Sequence, residues 1–129
     1  MKRIAAFGVA TLVGSGFLGG LGGPVSANAA DVVREGACSG GSTWKLKLSP
    51  ENGAIETDFE VDQNVVGQEW RVVLEQNGTV VFRGKRTTQA PSGSFEVRRV
   101  LPDAAGTDTI AARATNLVTG EICKGRAQF

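Results

Sequence analysis

Histidine and tyrosine are absent from this chain of 129 residues. Without histidine there can be no Ser–His or Cys–His catalytic pair and no imidazole-ligated zinc or copper. Cysteine occurs twice, as Cys38 and Cys123, and not as Cys-x-x-Cys, which removes a thiol-redox role. No stretch keeps apolar residues at i, i+3, i+4 and i+7 long enough to specify a helix. Neither sign of charge predominates: 14 Lys and Arg stand against 13 Asp and Glu. A near-neutral chain offers no global case for nucleic acid, whose phosphates demand a clustered basic surface. Long apolar runs are also missing, with one exception at the N-terminus.

That exception has the anatomy of an export signal. Met1-Lys2-Arg3 is a cationic start, Ile4 to Leu21 is apolar and glycine-rich, and Ala27-Asn28-Ala29 supplies small residues at the −3 and −1 positions of a cleavage site before Ala30. Residues 1–29 are read as a cleaved signal peptide. The apolar run is at the lower limit for spanning a bilayer, and its glycines make it a weak helix. No cysteine follows it closely enough for lipid attachment. Cleavage would remove Lys2 and Arg3 and take the formal net charge from +1 to −1. With no second apolar segment, the mature domain is expected to be soluble, secreted and free of the membrane.

In an oxidising compartment the two cysteines of a small domain are expected to pair. A Cys38–Cys123 bridge would close most of the mature chain and contribute about 4–5 kcal/mol in the chain-entropy picture. That is a large part of a typical stability of roughly 5–15 kcal/mol.

Residues 30–42 are small and polar without a period, and are read as a flexible lead-in. From residue 43 to residue 129, short alternating runs recur between turn signals, the pattern of an all-β two-sheet sandwich. Seven strands are expected, at Thr43–Leu48, Ile55–Asp62, Glu69–Glu75, Thr79–Arg86, Ser94–Leu101, Asp108–Thr115 and Ile122–Gln128. In the second, Ile55, Thr57, Phe59 and Val61 alternate with four acids, the period of two of a half-buried strand. At Gln76-Asn77-Gly78 two registers compete. A two-residue turn sets Leu74 opposite Val81 and Val72 opposite Arg83. A three-residue loop with a G1 bulge sets Leu74 opposite Val80 and Val72 opposite Phe82, and is preferred because it keeps Arg83 off the apolar face. Arg98-Arg99 interrupts the alternation of the fifth strand, so a bulge is expected there.

Seven strands of this length, with Trp70 on the third, resemble the immunoglobulin-like and fibronectin-III-like sandwiches. The resemblance spans residues 43–129 and rests on strand pattern. Asp108-Thr109-Ile110 falls where such folds often carry Asp-x-Tyr, but the tyrosine is absent. The cysteines flank the first and seventh strands, whereas the antibody bridge joins the second and sixth. Size and export also resemble the neocarzinostatin group of carrier apoproteins, which have two local disulfides instead of one long-range bridge.

The acids Glu56, Asp58, Glu60 and Asp62 are spaced about 6.8 Å apart along one strand face, too far to share one calcium ion at ~2.4 Å. They are read as a solvated face paired with Lys45, Lys47 and Arg98. On the opposite sheet Val73 and Val81 are expected to form an outward apolar pair among Arg71, Arg83, Lys85 and Arg113. These six residues are the candidate binding face, suited to a partner protein or an anionic cell-surface polymer. Asn77-Gly78-Thr79 matches a glycosylation sequon that the turn already explains. No catalytic residue, metal or cofactor is expected, and the domain is expected to be a monomer. A secreted, non-catalytic binding module is the leading reading. A small-molecule carrier is the alternative, and a hydrolase working through paired carboxylates is a third.

Overall fold

A computed structural model describes residues 31–129. The expected signal peptide therefore lies outside the described residues. Among the described residues eight strands are formed: β1 (Val32–Ala37), β2 (Thr43–Glu51), β3 (Ala54–Asp62), β4 (Glu69–Gln76), β5 (Thr79–Thr87), β6 (Ser94–Pro102), β7 (Thr109–Asn116) and β8 (Ile122–Gln128). They make two four-stranded antiparallel sheets, ordered β1-β2-β3-β6 and β5-β4-β7-β8. The result is an all-β sandwich compatible with an immunoglobulin-like fold.

The two sheets press their apolar faces together because alternation along each strand delivers every second side chain inward. Leu46 and Leu48 of β2, Ile55, Phe59 and Val61 of β3, and Trp70, Val72 and Leu74 of β4 have no exposed surface. Trp70 and Phe95 meet with ring centroids 5.9 Å apart, and the indole NH of Trp70 donates to Gln63 Oε1 at 3.0 Å. That partner lets a large aromatic enter the core without stranding its polar group.

The number of strands differs from expectation because β1 occupies what looked like a flexible lead-in. Val-Val-Arg-Glu-Gly-Ala has little apolar alternation. Its inward positions lie at a sheet edge, where only Val32 packs against the core and Gly36 leaves room for a neighbour. A Cβ on Gly36 would come within 2.8 Å of the Trp44 indole, and one on Gly125 within 2.6 Å of the same ring. Trp44 thus lies between β1 and β8 and closes the seam between the sheets on that side.

The β4–β5 hairpin follows neither register considered from sequence. Gln76 pairs with Thr79 across a two-residue Asn77-Gly78 turn, and both turn residues have positive φ (52° and 86°). The pairing then shifts between Leu74 and Glu75: Glu75 faces Val80, but Leu74 faces Phe82. Val81 is the extra residue on β5, so the bulge sits one pair deeper than a G1 arrangement would place it. This keeps the favoured turn and still brings Phe82 inward.

No bulge forms at Arg98-Arg99: Asp58 pairs with Arg98 and Thr57 with Arg99 without interruption. β6 is an edge strand, so the inward-directed Arg99 opens onto the other seam, where its guanidinium sits 4.4 Å from the Phe82 ring centroid. Arg86 approaches the same ring at 5.2 Å. A charge is tolerated there because its head stays near solvent while the cation meets an aromatic face.

Candidate functional site

The Cys38–Cys123 disulfide is formed. It ties the turn between β1 and β2 to the first residues of β8, which lies against both strands across the seam. The turn is gripped a second time by Glu121. Its carboxylate accepts from Gly40 N at 2.9 Å, Ser42 N at 2.8 Å and Ser42 Oγ at 2.8 Å, while Ser39 N donates to Ile122 O and Ile122 N to Ser39 Oγ. Such a bridge points to an oxidising compartment.

The outer faces of the two sheets carry opposite charge. On β1-β2-β3-β6, Glu56, Asp58 and Glu96 surround Arg98 at 3.0, 2.8 and 3.8 Å. Hydrogen bonding to Asp58, with its charge and that of Glu56, raises the Arg98 pKa further. Glu96 is held above the ordinary carboxyl value of 4.5, first by its hydrogen bond with Asp58 and then by partial burial and the Asp58 charge, with Arg98 opposing. A recess of about 540 Å³ on this face is lined by Glu35, Thr43, Trp44, Lys45, Glu60 and Asp62. Among the described residues no cluster of three or more acids, cysteines or histidines could hold a metal ion.

On β5-β4-β7-β8 the register sets Arg83, Val73, Arg113 and Lys124 directly opposite one another, one from each strand. Lys85 and Arg71 are the next outward pair on one side. On the other, Val80, Glu75, Ala111 and Arg126 form a parallel row. The six cations are exposed. Among the described residues none of Arg83, Arg113, Lys124 and Arg126 is in an ion pair; the pairs present gather around Arg98 on the other face. Between the cations lies an open recess of about 660 Å³ whose floor includes Val73, Val80 and Ala111.

Five of the six residues expected on this face are there: Arg71, Val73, Arg83, Lys85 and Arg113. Val81 is not. The bulge turns it toward the core, against which it packs, and Val80, 40% exposed, takes the outward position beside Glu75. Sequence reading also missed Lys124 and Arg126. The signal was present, since Cys123, Gly125 and Ala127 alternate with them, but the neighbour relation of β8 to β7 had to be known before they could join Arg113.

At the opposite end from the disulfide, Asn77 of the sequon has both ends of its amide engaged. Nδ2 donates to Asp108 Oδ1 at 2.9 Å and Oδ1 accepts from Thr109 N at 2.8 Å. Gln76 Nε2 also reaches Asp108 Oδ1 at 3.1 Å and Pro102 O at 2.6 Å. This polar cluster, built on the fully buried Asp108, occupies the corner that leads into β7.

No protein-family model matches this chain, and no curated protein is a significant sequence match to it.

Proposed function

We propose that this chain is exported, loses residues 1–29, and works outside the cell as a non-catalytic binding module of immunoglobulin-like type. The outer face of β5-β4-β7-β8 is its binding surface and takes an anionic partner. One observation carries the reading: six exposed cations, Arg71, Arg83, Lys85, Arg113, Lys124 and Arg126, share one sheet face in a chain of nearly balanced charge. Balanced charge spread at random would give a mixed surface. Segregation onto opposite faces creates a positive field that steers an anionic partner to one side. Phe59, Trp70 and Leu74 pack wholly buried between the sheets, which favours this over a carrier holding a ligand there. On the opposite face Glu56 and Asp58 are paired with Arg98, which favours a solvated charge network over a hydrolytic carboxylate pair.

The test uses the protein recovered from culture medium. Mass spectrometry should give a chain that starts at Ala30 and lacks two hydrogens for the bridge. Arg83→Glu with Arg113→Glu should abolish salt-reversible adsorption to the producing cell's envelope and leave the melting curve within a few degrees of wild type. Unchanged adsorption in that variant rules the face out, and retention of residues 1–29 rules out the processed form.

A further inference from the structure

We propose that the anionic partner of this face is a linear acidic polysaccharide lying across the strands, along the line Arg83–Val73–Arg113–Lys124; this rests on the binding face proposed above. Residues directly opposite on neighbouring strands are about 4.8 Å apart, so three cations fall on a straight line spanning about 14 Å. Lys124 and Arg113 are adjacent, and Arg83 lies two strands beyond Arg113. A chain with an anion on each ring or on alternate rings meets such a line with successive charges, because hexose rings repeat at roughly the strand spacing. Arg126 lies beside the line, one row along β8.

The ground between the cations selects the polymer class. Val73, Val80 and Ala111 are small and apolar, and they suit the carbon-bound hydrogen faces of sugar rings. No aromatic residue points outward from these four strands; Trp70, Phe82 and Phe129 are all turned inward. Single-stranded nucleic acid relies on aromatic platforms for its bases, and this face offers none. An acidic peptide would satisfy the cations, but along the central strands β4 and β7 the main-chain groups are already paired, and only the outer edges of β5 and β8 could bond its backbone. Glu75 is set in the row beside the line, not on it, and limits where a second charged chain could lie.

The experiment measures binding to polygalacturonate and to heparin, as carboxylate and sulfate probes, from 25 mM to 300 mM salt. Neutral dextran, polyglutamate and a single-stranded oligonucleotide complete the set. One of the two acidic polysaccharides should bind with affinity falling steeply with salt, as release of counterions requires. Arg113→Gln with Lys124→Gln should weaken that binding at least tenfold and lower the logarithmic salt slope by about 2. Arg71→Gln with Lys85→Gln removes the same charge from the same face but off the line, and should weaken binding clearly less than the Arg113 and Lys124 pair does. Lys45→Gln with Lys47→Gln, on the acidic face, should change nothing. Equal or tighter binding of polyglutamate or the oligonucleotide overturns the polysaccharide inference and leaves the basic face standing. Loss that is the same for the two pairs on the basic face overturns the alignment. Failure of every polyanion overturns both proposals.

Discussion

At the scale of single residues, the energetics of this domain turn on where polar atoms and small side chains sit inside it. Thr57 is wholly buried between β2 and β6, and its hydroxyl has no hydrogen-bond partner. A buried, unsatisfied hydroxyl costs about 1–3 kcal/mol. Thr57→Val should therefore stabilise the domain by ~1 kcal/mol, read as a higher urea midpoint at unchanged slope; a lower midpoint would show that the hydroxyl is satisfied in solution. Gly125 has the opposite sensitivity. Its missing Cβ is the space that Trp44 fills, at 2.6 Å, so Gly125→Ala should destabilise by about 1–3 kcal/mol through overpacking. Combining it with Trp44→Phe should return part of the loss if the indole is the obstacle. Neither glycine that frames Trp44 is conspicuous in the sequence, because each sits in a strand where glycine ordinarily means weak packing.

Glu96 adds a pH dependence. Its folded pKa is raised by Asp58 and burial, so the folded state holds that proton more firmly than the unfolded chain does. The stability linked to it is present below the ordinary value of 4.5 and is lost as pH rises through the raised value. Asp58, Glu60 and Arg98 are the charged groups around it. In Glu96→Gln the decline in melting midpoint just above pH 4.5 should become shallower; an identical profile would exclude Glu96 as its source.

At the scale of elements, β1 and the disulfide act together. β1 pairs along its whole length with β2 and is held to β8 by Trp44, Glu121 and the Cys38–Cys123 bridge. The bridged residues are 85 apart, so Cys38→Ala with Cys123→Ala should cost about 4–5 kcal/mol and lower the melting midpoint by on the order of 20 °C. A drop of only a few degrees would mean that the Glu121 contacts and the strand pairing hold the end of β1 without the bridge. Seven of the strands were legible as period-two runs between turns, with ends displaced by at most a few residues. β1 was not, because an edge strand needs few apolar side chains. Its Val32, Arg34 and Gly36 meet a seam, not a core. The β4–β5 bulge was legible only as a choice between registers, since local pattern could not weigh the turn preference of Asn77-Gly78 against the packing of Phe82.

At the scale of the whole domain, charge is sorted by surface. One sheet gathers Glu56, Asp58 and Glu96 around Arg98, and the other presents cations without ion-pair partners among the described residues. The turns at the disulfide end, residues 38–42, 63–68, 88–93 and 117–120, carry no charged side chain. The formal net charge of +1 conceals this arrangement entirely. The candidate face was therefore half readable: β4, β5 and β7 supplied Arg71, Arg83, Lys85 and Arg113 from alternation alone. Lys124 and Arg126 became part of it only through the pairing of β7 with β8.

What the amino-acid sequence determined by itself is local: the period-two alternation that makes strands, the turn residues that end them, the two cysteines available to pair, and the exclusion of histidine chemistry. These follow from interactions between residues near in the chain, or from composition. What only the tertiary structure decided is which strands are neighbours, and so which side chains share a face. That choice depends on long-range fit, such as Trp44 into the space above Gly36 and Gly125, Phe82 against Arg99, and Glu121 under Gly40 and Ser42. The line of Arg83, Arg113 and Lys124 comes from that fit, because its members are far apart in sequence and are aligned by hydrogen-bond register between strands.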